Sequence, residues 1–154
     1  MIRRAAAQDA AALLALERSV AEAGHWSVLE YEQILKAADE EAALWRLIFV
    51  AEEKGTLQGF VVGKLLRMGD ETQAEIENLA VALVARRKGL GAALCREALE
   101  ALQTAGARVV ELEVRVSNSA AIGLYVSLGF EPTGVRRGYY TNPAEDAVLL
   151  RALL

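Results

Sequence analysis

A run of three basic residues leads directly into a glycine pair in the middle of the chain. The basic residues are Arg86, Arg87 and Lys88, and the glycines are Gly89 and Gly91. Small residues at a turn before a helix let backbone N–H groups approach an anion, and the helix dipole favours negative charge there. A diphosphate would fit such a loop. The alternative is a sharp turn before a solvated, basic helix start, and the loop alone does not decide between the two.

A dinucleotide-binding fold would use a similar loop. Glu111 lies near the offset of about 20 residues at which such folds place an acid for the ribose. However, Leu94 stands where their fingerprint has its third Gly or Ala, and the basic run precedes the first glycine. Several antiparallel elements are also expected before this loop. The pattern therefore favours coenzyme A over NAD.

The composition excludes several other classes of function. The 154 residues are 54% hydrophobic and 25% charged, with a net charge of −4, which is typical of one soluble domain spanning 1–154. A chain with this negative net charge lacks the basic patch that binding to DNA, RNA or anionic lipid requires. Cys95 is the only cysteine and His25 the only histidine, which argues against a disulfide, a zinc site and a Ser-His-Asp triad.

The expected location follows from the same inspection. No apolar run approaches the roughly 18 residues of a membrane span, and the first residues carry no apolar leader. A single cysteine suits a reducing compartment. Cys95 lies on an apolar helix stripe, which predicts packing rather than nucleophilic catalysis. We expect a cytoplasmic protein without a metal, present as a monomer or weak dimer.

The first part of the chain predicts one strand and two helices. The strand lies near 2–4, and Asp9 caps a helix with apolar residues at spacings of three and four. Ser27 and Glu30 form a capping-box pattern for a second helix, which is expected to end near Asp39. These elements lie outside the basic glycine loop and must pack against the sheet that positions it.

An antiparallel hairpin follows, formed by two apolar, β-branched runs at 45–51 and 60–66. In the next strand the apolar positions run through Ile76 and then resume at Leu79, so the phase changes by one residue. A bulge near 77–78 would reconcile the two halves. The alternative is a strand that is buried on both faces.

From there the pattern becomes strand, glycine loop, helix and strand, which is a parallel βαβ unit. Its parts are a strand at 76–84, the loop at 86–91, a helix to Thr104 and a strand at 110–116. A further helix begins at Asn118 or Ser119, and the last strands lie at 130–137 and 146–153. We expect an α/β protein of the α+β kind, with a mixed, mostly antiparallel sheet of six to seven strands and about four helices.

Three more segments carry a more specific signal than the loop. They are 112–122 (LEVRVSNSAAI), 124–130 (LYVSLGF) and 136–147 (RRGYYTNPAEDA). Together with Arg86-x-x-Gly89-x-Gly91-Ala92, which matches the acetyl-CoA signature of the GNAT superfamily, they resemble the RimI-type N-alpha-acetyltransferases of ribosomal proteins. The resemblance implies the GNAT fold, with a splayed central pair of parallel strands, and acetyl-CoA as cofactor.

The resemblance also implies which residues hold the cofactor. Backbone groups of Leu79, Ala80 and Val81 would lie along the pantetheine arm and the acetyl carbonyl, beside the splay that the bulge creates. Asn118 would bind coenzyme A. The diphosphate would be held by the loop, whose residues are Arg86, Arg87, Lys88, Gly89, Leu90, Gly91 and Ala92.

Glu113 matches the family's proton acceptor and Tyr125 its proton donor. An amine that attacks a thioester needs such a pair, because it loses a proton while the departing thiolate gains one. From the residues alone, Glu113 could be a solvent-facing strand residue and Tyr125 a core aromatic. Tyr139 and Tyr140 would line the entrance for a peptide or cover an exposed edge strand. Trp26 is either a pocket wall or part of the core.

Three functions remain open at this point. The first is N-alpha-acetylation of a protein, with a ribosomal protein as the favoured target. The second is acetylation of a small amine or a lysine side chain, because the cofactor half of the chain does not choose the acceptor. The third is a noncatalytic acyl-CoA-binding module, against which the presence of both Glu113 and Tyr125 argues.

Overall fold

The computed structural model describes residues 1–20, 26–37 and 39–154, so His25 lies outside the described residues. Its elements are β1 (Ile2–Arg4), α1 (Ala10–Ser19), α2 (Val28–Lys36), β2 (Leu44–Glu53), β3 (Thr56–Met68), β4 (Glu71–Val81), α3 (Leu90–Thr104), β5 (Val109–Arg115), α4 (Ser119–Ser127), β6 (Glu131–Tyr140) and β7 (Glu145–Leu153). Within these ranges no helix has both the length and the apolar character needed to span a membrane.

The strands form one mixed sheet in the order β1-β2-β3-β4-β5-β7-β6. Neighbouring strands are antiparallel except β4 and β5, which are parallel. That parallel ladder is short, since it pairs only 74–75 with 110–111. Beyond it the two strands separate, while β4 stays paired to β3 as far as Val81. The expected mixed sheet with a splayed parallel pair is confirmed.

The bulge in β4 is also confirmed. Val62 of β3 stands opposite Asn78, but the next residue, Gly63, stands opposite Ile76. Glu77 is therefore the extra residue, and it moves the apolar side chains that follow by one position. As a result, both Ile76 and Leu79 pack on the α3 side of the sheet.

Helices cover both faces of the sheet. On one face α3 inserts Leu94, Ala98 and Leu102, all fully buried, because these positions recur on one side of a helix. On the other face α1 and α2 bury Leu13 and Tyr31 against β3. Cys95 is buried beside Leu94, and burial raises the pKa of its thiol to about 12, so its predicted packing role is confirmed.

Three element ends differ from the sequence-based expectation. β4 ends at Val81 rather than at 84, because Leu83–Ala85 form a 3₁₀ turn with Leu83 and Val84 exposed. β5 ends at Arg115, and Val116 is half exposed. α2 ends at Lys36, not near residue 39. In each case an apolar or helix-forming run continued the pattern in the sequence after the backbone had turned.

The predicted capping role of Asp9 is wrong. Its carboxylate accepts hydrogen bonds from Arg3 Nη1 at 2.8 Å, from Arg3 Nη2 at 3.0 Å and from the N–H of Ala6 at 2.7 Å. It makes no cap to α1. Asp9 is nine-tenths buried and instead ties β1 to the turn before α1.

This ion pair predicts an acid-sensitive stability. Arg3, and then the N–H of Ala6, hold the pKa of Asp9 below its usual range. A lowered folded-state pKa stabilises the fold above the unfolded pKa of about 3.9, and that stabilisation is lost as the pH falls through the folded pKa. We expect Asp9→Asn to lower the free energy of unfolding at pH 7 by about 1 to 3 kcal/mol. The free energy of unfolding, measured with denaturant, should fall less between pH 7 and pH 3 in the variant than in wild type. An equal fall in the two proteins would contradict this role.

Candidate active site

A cavity of about 410 Å³ lies where β4 and β5 separate. It forms because the bulge directs β4 away from β5, which leaves one edge of β4 without a strand partner beyond Glu75. Backbone N–H and C=O groups along such an edge are available to a ligand. Six of the residues predicted for the site line this cavity: Leu79, Glu113, Asn118, Tyr125, Tyr139 and Tyr140.

Tyr125 reaches the cavity from α4. The residue is 6% exposed, and its ring packs edge-on against Phe130 at a centroid distance of 5.6 Å. Burial raises the pKa of its phenol above the ordinary value of about 10. The hydroxyl is therefore protonated at neutral pH and can donate a hydrogen bond or a proton. Tyr125 is a core aromatic that also lines the cavity, and its role as proton donor stays a prediction.

Glu113 extends from β5 on the side of the sheet opposite α3. Its Oε1 accepts a hydrogen bond from Arg136 Nη1 at 2.6 Å, and its side chain is 20% exposed. Glu113 also lies close enough to the phenol of Tyr139 to raise the pKa of Tyr139 to about 12. Glu111, two residues earlier, is exposed. Glu113 thus differs from an ordinary solvated strand residue, because it is paired with Arg136 and lines the cavity.

Tyr139 and Tyr140 end β6 at the cavity mouth. Their rings meet edge to face at a centroid distance of 5.0 Å. The Arg136 guanidinium lies 5.0 Å from the Tyr139 ring centroid, and that of Arg115 lies 4.4 Å from the Tyr140 centroid. Stacked cations restrict both rings. The two tyrosines therefore lie on an edge strand and line the cavity, while a role in admitting a peptide stays a prediction.

The glycine loop lies between β4 and α3. Arg87 and Gly89 have left-handed backbones, with φ of 64° and 76°. Such turns direct successive N–H groups to one side. The first helical bond in α3 runs from Ala93 N to Gly89 O, so the N–H groups of the turn from Gly89 to Ala92 have no partner within the helix. Leu90 and Ala92 are half-buried in this turn.

The basic side chains of the glycine loop differ in their surroundings. Arg86 Nε donates to Val81 O at 3.2 Å, which fixes the loop against the end of β4. Arg87 and Lys88 are exposed and add positive charge beside the free N–H groups. A Cβ added at Gly91 would lie 3.2 Å from Leu124 Cδ2, so this position has little space for a side chain.

Asn118 and Ala80, which were also predicted for the site, lie at the start of α4 and near the end of β4. Asn118 is the N-cap of α4, where its Oδ1 accepts from Ala121 N at 3.1 Å, and it also lines the cavity. Ala80 directs its side chain to the α1 and α2 face, whereas Leu79 and Val81 pack towards α3. Of these three residues, Leu79 lines the cavity and the other two do not.

A polar cluster that the sequence pattern did not predict lies behind the bulge. Glu17 is fully buried and bonds to Asn78, and Glu77 pairs with Arg46 at 2.9 Å. A signal existed, because Glu17 interrupts the apolar stripe of α1. Trp26 is partly buried and lines a second cavity of about 350 Å³ with Arg46 and Glu77, so it is a pocket wall as well as a packing residue.

The chain is similar in sequence to a group of acetyltransferases. The Acetyltransferase (GNAT) family matches residues 11–130. A Bacillus subtilis protein, provisionally named a ribosomal protein bS18-alanine N-acetyltransferase, is 42% identical over 101 residues, which are 66% of this chain and 64% of that protein. The ribosomal protein bS18-alanine N-acetyltransferase of Escherichia coli K12 is 37% identical over 106 residues, which are 68% of this chain and 69% of that protein. The matched stretches thus span about two thirds of these relatives.

The fold agrees with the sequence similarity. The crystal structure of the ribosomal-protein-S18-alanine N-acetyltransferase from Escherichia coli superposes with a TM-score of 0.79 at 30% identity, over 99% of this chain and 92% of that one. The family match covers more than half of the sequence and includes β4, the glycine loop, α3 and β5. The chain therefore belongs to the GNAT acetyltransferase family.

Proposed function

We propose that this protein transfers the acetyl group of acetyl-CoA to the N-terminal α-amine of a protein, with a ribosomal protein as the favoured acceptor. One observation carries the proposal: the splay between β4 and β5 opens onto a cavity faced by a buried, protonated phenol and a carboxylate, Tyr125 and Glu113. The relatives named for alanine N-acetylation of ribosomal protein bS18 support the choice of acceptor.

The residues at the splay fit acetyl-CoA. The free N–H groups at the head of α3 and the exposed Arg87 and Lys88 suit a diphosphate, and Gly91 leaves the approach clear. The unpaired edge of β4 suits an amide-containing arm, because its backbone groups can bond to the arm as a neighbouring strand would. Asn118 lines the same opening. When bound there, acetyl-CoA supplies an activated acyl group as a thioester.

Glu113 and Tyr125 divide the proton transfers. The acceptor nitrogen forms a bond to the acetyl carbon, and the bond from that carbon to sulfur breaks. Glu113 takes the proton that the nitrogen loses, directly or through a water, and Tyr125 supplies a proton to the departing sulfur. The hydroxyl of Tyr125 suits the second role, because burial keeps it protonated across the physiological pH range.

A weak base suffices for an α-amine. With a pKa of about 8, roughly one quarter of such an amine is neutral near pH 7.5, whereas about one lysine side chain in a thousand is neutral. A carboxylate such as Glu113 then only has to take the proton that the α-amine loses on attack, whereas a lysine side chain would first have to be deprotonated. We place the protein in the cytoplasm as a single domain; its one cysteine, buried Cys95, suits that compartment.

A pair of peptides tests the acceptor. One begins with a free alanine amine, carries arginines and contains no lysine; the other has the same sequence with a blocked terminus and one internal lysine. We expect the first to be acetylated at least about 100-fold faster at pH 7.5, with the added acetyl group located by mass. The rate on the first should fall with salt, because an acidic protein attracts a basic peptide.

Two other results would redirect the assignment. Equal or faster acetylation of the blocked peptide would make the protein a lysine acetyltransferase of the same fold. Binding of acetyl-CoA without acetylation of either peptide, and without release of free thiol in the presence of a panel of small amines, would make it a noncatalytic acyl-CoA-binding module.

A further inference from the structure

Glu17 is a charged residue in the interior of the protein. It lies on α1 with no exposed surface. Its Oε1 accepts hydrogen bonds from the hydroxyl of Tyr31 at 2.9 Å and from Asn78 Nδ2 at 3.1 Å. Both carboxylate oxygens also lie 3.1 Å from the backbone N–H of Trp26. One carboxylate therefore joins three parts of the chain that are distant in sequence.

Two of these donors line cavities. Asn78 is next to the extra residue of the β4 bulge and lines the cavity between the strands. Trp26 precedes α2 and lines the second cavity, where its ring packs 5.5 Å from that of Tyr31. Glu77, the extra residue itself, lines both cavities. Glu17 is thus placed behind the bulge, whose extra residue lines both cavities.

Glu77, the residue before Asn78, is bound by a side chain on the same face of the sheet as Glu17. Arg46 donates to Glu77 at 2.9 Å, and its guanidinium lies 5.9 Å from the ring centroid of Trp26. Both bulge residues are therefore bound by charged side chains of neighbouring elements, Asn78 by α1 and Glu77 by β2. The bulge conformation depends on these contacts as well as on its pairing with β3.

A buried carboxylate permits few alternative arrangements. Removing it from water is costly unless hydrogen bonds replace the lost solvation. Moving Asn78 or Trp26 away would leave the Glu17 charge with fewer donors in a low-dielectric interior, where each missing bond costs more than at the surface. The network therefore favours one relative placement of α1, the start of α2 and the bulge.

We propose that Glu17 is a positioning residue for acetyl transfer: by holding Asn78 and the backbone at Trp26, it sets the width and shape of the cleft where amine and thioester meet. The inference rests on the proposed function for its kinetic consequence, but the structural claim about the bulge stands on the hydrogen bonds alone. Glu17 touches no reacting atom, since it acts through Asn78 and Trp26.

Two substitutions of similar shape test the proposal. Glu17→Met removes every acceptor. Glu17→Gln keeps an Oε1 that accepts from Tyr31 and Asn78, but it loses the charge that strengthens these hydrogen bonds and places an amide donor beside the Trp26 N–H. We expect Glu17→Met to lower kcat by about 10- to 100-fold, the cost of a displacement near 1 Å at a reacting centre. Glu17→Gln should lie between it and wild type. Coenzyme A affinity, measured by calorimetry, should fall by much less than kcat does, because the loop before α3, which is proposed to hold the diphosphate, is not part of the network. Asp9→Asn, which removes another buried carboxylate near α1, should keep the wild-type kcat.

Backbone hydrogen exchange across 76–80 provides a readout that does not require activity. We expect faster exchange there in Glu17→Met, and in Glu17→Gln to a smaller extent, than in wild type. If wild type acetylates no amine, the proposed function fails while this measurement still tests the bulge. Wild-type exchange in a folded Glu17→Met, or a kcat loss matched by loss of coenzyme A affinity, would overturn the proposal.

A second pair of variants covers the case in which Glu17→Met does not fold. Asn78→Ala removes the amide that Glu17 binds. If Glu17 acts through Asn78, the kcat loss of Glu17→Gln combined with Asn78→Ala should be clearly smaller than the product of the two separate losses. Fully multiplicative losses would show that Glu17 does not act through the bulge, and would overturn the proposal.

Discussion

Replacing Tyr125 with phenylalanine is expected to lower the rate of acetyl transfer by about 10²- to 10⁴-fold, the range typical of a lost general acid. The substitution keeps the ring, its edge-on contact with Phe130 and the filled core, and removes only the hydroxyl that faces the cavity. Coenzyme A affinity and the melting temperature should therefore change little. Rates are to be measured at saturating peptide in single-turnover experiments, so that chemistry rather than product release is observed.

The pH dependence of wild type adds a second check on Tyr125. Burial raises the pKa of this phenol, so the protonated form persists above pH 10, where an exposed tyrosine would already be ionising. The rate should show no alkaline decline from this group up to about pH 10. An unchanged single-turnover rate for Tyr125→Phe would assign the residue to packing alone and leave the proton donor to be found elsewhere in the cavity.

The fold could be predicted where local pattern and tertiary structure agree. The phase change between Ile76 and Leu79 predicted the β4 bulge, because side chains alternate along a strand and one extra residue reverses the alternation. The predicted end of the helix at Thr104 also rests on a local feature, because a glycine suited to a left-handed helix ending, Gly106, follows it. Gly106 has a φ of 108° and lies in a Schellman-type ending, with Ala107 N bonded to Leu102 O.

Predictions failed where polar partners come from distant parts of the chain. Asp9 was expected to cap α1, which is a local role. Its nearly buried carboxylate instead accepts two hydrogen bonds from the Arg3 guanidinium and one from the N–H of Ala6, and the bonds to the charged guanidinium are stronger than a cap. Glu17 interrupts an apolar stripe, yet nothing nearby in sequence identifies Asn78 as its partner, 61 residues away. Periodicity describes which face is buried, not which polar groups meet there.

In the candidate site, too, local features could be predicted from the sequence and contacts between distant residues could not. The glycine loop is a local feature, so its position at the head of α3 could be read from spacing. The ion pair between Glu113 and Arg136 could not, because it depends on β7 lying between β5 and β6 in the sheet. That strand order is what brings the end of β6, with Tyr139 and Tyr140, to the mouth of the cleft.

A negative charge in the glycine loop is expected to weaken coenzyme A binding by at least about 100-fold. Gly91 is the second residue of α3, and a Cβ there would meet Leu124 Cδ2 at 3.2 Å and Val81 Cγ2 at 3.7 Å, beside the proposed diphosphate site. Two like charges about 4 Å apart repel by roughly 4 kcal/mol at the effective dielectric of a protein surface, which is more than this loss of affinity requires.

Gly91→Asp should nevertheless fold, because an aspartate in the first turn favours a helix by about 0.3 to 1 kcal/mol and Leu124 can move its flexible end. Gly91→Asn is the matched control, since it has nearly the same size and no charge. Calorimetry should give a large loss of coenzyme A affinity for Gly91→Asp, a smaller one for Gly91→Asn, and a difference between them that shrinks as salt is added. Equal losses for the two variants would mean that crowding against Leu124, not repulsion of a diphosphate, is responsible; wild-type affinity in folded Gly91→Asp would move the cofactor away from this loop.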